Sequence, residues 1–212
     1  MLALTTALVA PYFIDWTSYR ADFEREASRI LGRAVKVEGT ASARLLPFPS
    51  VTFTDVVVAG QGSTEPAMTI ETFSMDAELA PAMRGDFHIF DMRLVRPVAR
   101  VEVAADGTLD WAVRPSVPVE ASHISLEKLT ITEGRVRLHH VASGRTHNLT
   151  EINADVSARA LTGPWRMDGT VRLDGMRSTL SASTGPVDDQ GVMRLRLRVQ
   201  PDLYPLVVET DG

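Results

Sequence analysis

Apolar and polar residues alternate along most of this chain with a period of two. Val35 and Val37 alternate with Lys36 and Glu38, Val51 and Phe53 with threonines, and Phe73, Met75, Ala77 and Leu79 with Ser74, Asp76 and Glu78. The pattern returns at Val101 and Val103, at Val136 and Leu138, at Ile152, Ala154 and Val156, and at Val171 and Leu173. It is clearest in VMRLRLRVQ, where Met193, Leu195, Leu197 and Val199 face one way and Arg194, Arg196 and Arg198 the other. Such alternation predicts half-buried strands, apolar on one face and wet on the other. Turn signals divide the runs at Pro47 to Pro49, Gly60 to Gly62, Gly85-Asp86, Asp106-Gly107, Ser143-Gly144, Gly163-Pro164, Asp174-Gly175 and Gly191. Their spacing predicts an antiparallel meander, because no helical crossovers of the kind a parallel sheet needs are visible.

Two stretches break the pattern. From Trp16 to Leu31 the apolar positions Tyr19, Phe23, Ala27, Ile30 and Leu31 recur at spacings of four and three, which predicts an amphipathic helix with Asp15 as its N-cap and Gly32 as its stop. Asp22, Glu24, Arg25, Glu26 and Arg29 read as its solvated face. The segment 115–120, with Pro115 and Pro118, has no period and reads as a linker. The chain thus divides into 1–14, an amphipathic helix at 15–33, a first β-rich section at 34–114, the linker, and a second β-rich section at 121–212.

Residues 1–14 raise a different question. Met1 to Ala10 is apolar but supplies half of the ~20 residues a membrane-spanning helix requires. Tyr12, Phe13 and Trp16 around Pro11 are aromatics of the type favoured at the headgroup level of a bilayer. The expectation is the C-terminal half of a truncated transmembrane anchor whose interface residues are Tyr12, Phe13 and Trp16; the alternative is an apolar arm packed on the domain.

Composition removes several classes of function. The 212 residues carry a net charge of −5 with scattered basic residues, so no cationic stripe for nucleic acid is expected. There is no cysteine, which excludes thiol catalysis and disulfides. Of the five histidines, His139, His140 and His147 lie closest together, but neighbours on a strand point to opposite faces, so no metal site is expected. No nucleophile elbow, glycine-rich phosphate loop or paired carboxylate motif occurs, and neither an enzyme nor a cofactor is expected.

Several stretches are specific enough to compare with a family: the aromatic-to-helix junction with Tyr19, Arg20, Leu31, Gly32 and Arg33, then LLPFPSVTF, FHIFDMRLVRP, and Gly107 with Leu109, Asp110 and Trp111. Together they cover nearly the whole chain and resemble the N-terminal part of the AsmA family of envelope proteins in Gram-negative bacteria, particularly its long alphaproteobacterial members. The resemblance implies a mainly β fold: a long curved antiparallel sheet shaped as a U-shaped groove and preceded by one N-terminal amphipathic helix. It implies an inner-membrane anchor with the body in the periplasm, and a role in moving phospholipid between inner and outer membranes and in outer-membrane biogenesis. It also implies an N-terminal fragment, since such proteins run several hundred residues further. Phospholipid acyl chains are then the expected ligand, with Phe73, Met75, Val136, Leu138, Val171, Leu173, Met193, Leu195, Leu197 and Val199 as groove candidates. The other reading is an envelope scaffold that carries no lipid but binds outer-membrane or envelope proteins and affects outer-membrane protein assembly.

Overall fold

The computed structural model describes residues 17–44, 48–60, 65–78, 87–105, 109–110, 124–158, 164–187, 193–202 and 208–211. The expected anchor at 1–14, with Tyr12, Phe13 and Trp16, and the expected linker at 115–120 lie outside them. Among the described residues one α-helix, α1 (Thr17–Leu31), precedes thirteen strands, with a single 3-10 turn at Val141–Ser143. These are β1 (Val35–Val37), β2 (Ala41–Arg44), β3 (Ser50–Val58), β4 (Met68–Ala77), β5 (Phe87–Val95), β6 (Val98–Val103), β7 (Leu109–Asp110), β8 (Ile124–His140), β9 (Arg145–Ala158), β10 (Trp165–Leu173), β11 (Met176–Val187), β12 (Met193–Pro201) and β13 (Val208–Asp211).

All thirteen strands belong to one sheet, whose main order is β1-β3-β4-β5-β8-β9-β10-β11-β12-β13. The fold is mainly β with a single α-helix among the described residues, as the alternation predicts. The sheet is nonetheless mixed, which corrects the purely antiparallel expectation: β5 and β6 both run parallel to β8. The chain passes up β5 and β6 in line and re-enters the sheet parallel to both at Ile124. Among the described residues the β10–β11 hairpin is tight. Asp174 and Gly175 both have positive φ, 47° and 92°, the conformation of a two-residue turn that matches strand twist.

The side chains keep one polarity in long rows across the sheet. Ala41, Phe53, Phe73, Leu94, Ile131, Ala154, Gly169, Leu180 and Val199 are successive register partners from β2 to β12. So are Ala43, Val51, Met75, Met92, Leu129, Val156, Met167, Ala182 and Leu197. The row between them is Ser42, Thr52, Ser74, Arg93, Thr130, Asp155, Asp168, Ser181 and Arg198, polar throughout and pointing to the opposite face.

Strict alternation fails at one line that crosses the strands. Asp55, Arg96, Glu133 and Glu151 have φ between 49° and 54°, the left-handed region. Each follows the same local sequence of an apolar residue and a spacer: Phe53-Thr54-Asp55, Leu94-Val95-Arg96, Ile131-Thr132-Glu133 and Leu149-Thr150-Glu151. The left-handed residue absorbs one position and sends its charged side chain to the polar face, so the apolar face resumes at Val56, Pro97, Gly134 and Ile152. A Cβ built on Gly134 would meet Ile131 Cγ2 at 3.0 Å, Ile152 Cβ at 3.3 Å and Pro97 Cγ at 3.4 Å, which places these side chains on the same side. The residues in this line are enclosed: Val56 2%, Ile70 4%, Val171 4% and Ser178 2% exposed, with Pro97 and Gly134 buried. The apolar side is therefore the inside of a bend, and the sheet is a trough with a crease along its floor. A further apolar row, Val35, Val58, Met68, Ala99, Val136, Leu149, Leu173 and Met176, continues beyond the crease. We call this shorter side the narrow wall and the side bearing the two longer rows the broad wall.

α1 closes the trough at the β1 end. Phe23, Ala27 and Leu31 pack on the cluster of Val35, Val37, Phe53, Val56, Val58, Ala67 and Ile70. The Phe23 ring stacks on Phe53 with centroids 4.1 Å apart and lies 5.5 Å from Phe73. The helix also seals the edge strand. Val35 N–H donates to Ser28 Oγ at 2.8 Å and Val37 N–H to Glu24 Oε1 at 2.7 Å, while Arg20 Nη2 donates to the Gly39 carbonyl at 2.7 Å. Glu24 is thus an edge cap, correcting its assignment to the solvated face. Gly32, at φ 68°, ends the helix as expected.

The covered and uncovered parts of the apolar face should respond differently to mutation. Phe23→Ala should cost about 3 kcal/mol in urea unfolding, whereas Leu180→Ser, at a half-exposed position no other element covers, should cost less than about 1 kcal/mol. Equal losses would mean that the face around Leu180 is a closed core.

Candidate functional site: an uncovered apolar trough

From β5 and β8 to β12 nothing packs over the trough among the described residues; the helix reaches β1 and β2 and, through Phe23, β3 and β4. Six strands at ~4.8 Å spacing leave an open length of about 24 Å. Leu129, Ile131, Val156, Met167, Leu180, Ala182, Leu197 and Val199 line the broad wall of this stretch, all half-buried. They owe that partial enclosure to neighbouring side chains and to the bend, since no second layer faces them among the described residues.

The residues expected to line a groove fall on this face wherever their side chains are described. Phe73 and Met75 lie on β4 in the broad wall, with Phe73 beneath α1. Leu197 and Val199 lie at its far end on β12, opposite Ala182 and Leu180, with exposed Arg194, Arg196 and Arg198 turned to the other face. Val171 is in the crease. Val136 and Leu138 form the narrow wall with Leu173, which is 39% exposed at the tip of the β10–β11 hairpin. Met193 and Leu195 are on β12 in register with Val187 and Thr184, and their side chains lie outside the described residues.

Sequence reasoning missed the centre of the trough. Leu129, Ile131, Leu180 and the crease residues Pro97 and Gly134 were not singled out, and Ile152, read as a strand residue, was not among the groove candidates, although a signal was present. Three times an apolar residue, Thr and an acid precede the resumption of the apolar face, at Phe53, Ile131 and Leu149.

The polar face carries a belt of ion pairs directly behind the crease. Arg96 hydrogen-bonds both carboxylate oxygens of Glu71 and approaches Glu133 Oε2 at 3.4 Å. Arg172 grips Glu151 through two hydrogen bonds of 2.9 and 3.1 Å. Asn153 links the two groups: its Oδ1 accepts from Glu133 N–H at 3.1 Å and its Nδ2 donates to the Glu151 carbonyl at 3.0 Å. These contacts hold the Glu71 and Glu151 carboxyls below their ordinary range, chiefly through the hydrogen bonds from Arg96 and Arg172. Two shallow basins open on this face, one of about 370 Å³ beside Arg100, Arg135 and Arg137 and one of about 530 Å³ between Glu133, Arg135, Thr150 and Glu151.

No group of three histidine, aspartate or glutamate side chains converges on a metal-sized site among the described residues. His139 and His140 lie on opposite faces, in register with Thr146 and Arg145. Among the described residues no helix is long and apolar enough to cross a membrane. Comparison with family models, with curated proteins and with solved structures returned no match.

The belt makes an acid-side prediction. A carboxylate whose folded-state pKa is depressed gives stability that is complete above its ordinary value of 4.5 and is lost as pH falls through the folded-state value. Between about pH 5.5 and 3 the melting temperature should fall more steeply for the native chain than for the Glu71→Gln/Glu151→Gln variant. Parallel profiles would show that the belt contributes nothing to folding.

Proposed function

We propose that the trough holds the acyl chains of a lipid, and that the protein is an AsmA-like, inner-membrane-anchored component of lipid transport in the cell envelope, its body in the periplasm. The observation that carries this reading is the continuity of the apolar rows from β5 to β12 with no element packed over them among the described residues. Each CH₂ withdrawn from water is worth ~0.8 kcal/mol, so a ligand of long alkyl chains gains from every strand it crosses. The trough presents side chains without directional chemistry, which suits chains that must slide and suits catalysis poorly. The family resemblance points the same way, since the aromatic-to-helix junction and the FHIFDMRLVRP strand are its most specific pieces. On this reading the anchor precedes α1, which stands between the bilayer and the open stretch.

Photo-crosslinking in cells tests the proposal. A benzophenone amino acid at Leu180, inside the trough, should capture phospholipid, and one at Ser181, the next residue on the opposite face, should not. Protein adducts at Leu180 without lipid would instead support a scaffold that binds envelope proteins through the same face.

A further inference from the structure

On the narrow wall the apolar rows end in three polar side chains. Leu138 is in register with His147, and His140 with Arg145. Both histidines and Arg145 therefore share the face of Val136, Leu138 and Leu149, one step nearer the open rim. Their bonding leaves donors free to point away from the sheet. His140 Nδ1 accepts from the Ser143 N–H at 3.2 Å, which puts the ring proton on Nε2. His147 Nδ1 lies 2.7 Å from Asp174 Oδ2, and Asp174 Oδ1 also accepts from Asn148 N–H at 3.0 Å, so this acid is already occupied. The Arg145 guanidinium has no side-chain partner among the described residues, whereas Arg96, Arg100, Arg166, Arg172 and Arg177 are ion-paired.

We infer that this rim binds the phosphate of a glycerophospholipid, with Arg145 and the His140 Nε2–H donating to its oxygens and the acyl chains running down the wall to the crease. The assignment rests on the reading of the trough as an acyl-chain carrier and adds to it the place where the headgroup is held. Depth agrees with it: from Gly134 in the crease to His140 at the rim the strand rises about 20 Å at ~3.3 Å per residue. One leaflet of a ~30 Å hydrocarbon core is about 15 Å deep. A chain anchored by its phosphate at the rim thus ends near the floor without leaving the apolar wall. Guanidinium is suited to the task because it presents several N–H groups in a plane that matches phosphate oxygens.

The test compares two ligands with the same tails. Fluorescent phosphatidylglycerol and the matching diacylglycerol, delivered from cyclodextrin, are titrated into the full chain. Phosphatidylglycerol should bind about tenfold more tightly, as expected for charge-assisted hydrogen bonds at a wet rim. Arg145→Glu/His140→Gln should erase that ratio and leave diacylglycerol affinity and the melting temperature unchanged. Equal affinities in the native chain, or a ratio that survives the double variant, would overturn the rim assignment while leaving the trough intact. Failure of the native chain to bind either ligand would overturn both. Soluble glycerol phosphate competing as well as the lipid would identify a site for free phosphate and overturn the headgroup assignment.

Discussion

The architecture depends on a conflict between period two and a bend. A strand that curves toward its own apolar side must keep apolar side chains inside on both arms, and at a sharp crease one residue has to leave the extended region to do so. Asp55, Arg96, Glu133 and Glu151 are those residues. A left-handed non-glycine residue costs roughly 1–2 kcal/mol, and such strain persists only where the surroundings fix it. Here they do: the parallel strands β5–β6 and β8 turn at the same level, so Arg96 and Glu133 sit beside one another and register is the same before and after the bend. The ion pairs behind the crease are exposed, and exposed pairs add little energy singly. Their function is geometric, since they join β4, the β5–β6 junction and β8, and then β9 and β10, along one line.

The same logic explains why α1 sits where it does. An uncapped edge strand offers its N–H and C=O groups to any passing strand, and β1, with three residues, is such an edge. Glu24 and Ser28 take its outward N–H groups while Phe23, one helical face away, fills the end of the trough between Phe53 and Phe73. One short helix therefore closes an edge and an end together. Its heptad-like spacing served the second task; its polar residues at 20, 24 and 28, three turns of one face, served the first.

Much of this was readable in the residues. The strands were visible as alternation, α1 as a 3.6-residue stripe, and the hairpins at Ser143-Gly144 and Asp174-Gly175 as turn pairs. What could not be read was anything set by partners distant in sequence. The parallel pairing of β5 and β6 with β8 depends on strand order, and nothing in FHIFDMRLV differs from an antiparallel strand. Val136, Leu138 and Val171 lie on one face, and that face is continuous with Phe73 and Leu197 because the alternation slips once in β3, β4, β8 and β9 and once between β5 and β6. A strict period of two carried from Ile131 would have put Glu133 inside and Val136 outside. The Thr-acid pairs at 54–55, 132–133 and 150–151 mark the slip, and they become legible once the backbone angles are known.

The crease also bears on what can occupy the trough. Two sheets pack face to face about 10 Å apart over surfaces that twist together, and a flat partner sheet could meet only one wall of a folded surface. An amphipathic helix fits better, and α1 shows how, but it needs its own polar side chains to reach a free strand edge, which the interior of a sheet does not provide. Thin flexible chains have neither requirement: they follow both walls and the floor, and they need no hydrogen-bonding partner along the way. An exposed apolar surface of this extent is an aggregation hazard unless it is regularly filled. The geometry that makes the face unsuitable as half of a sandwich is what suits it to alkyl chains, with the polar chemistry held at the rim.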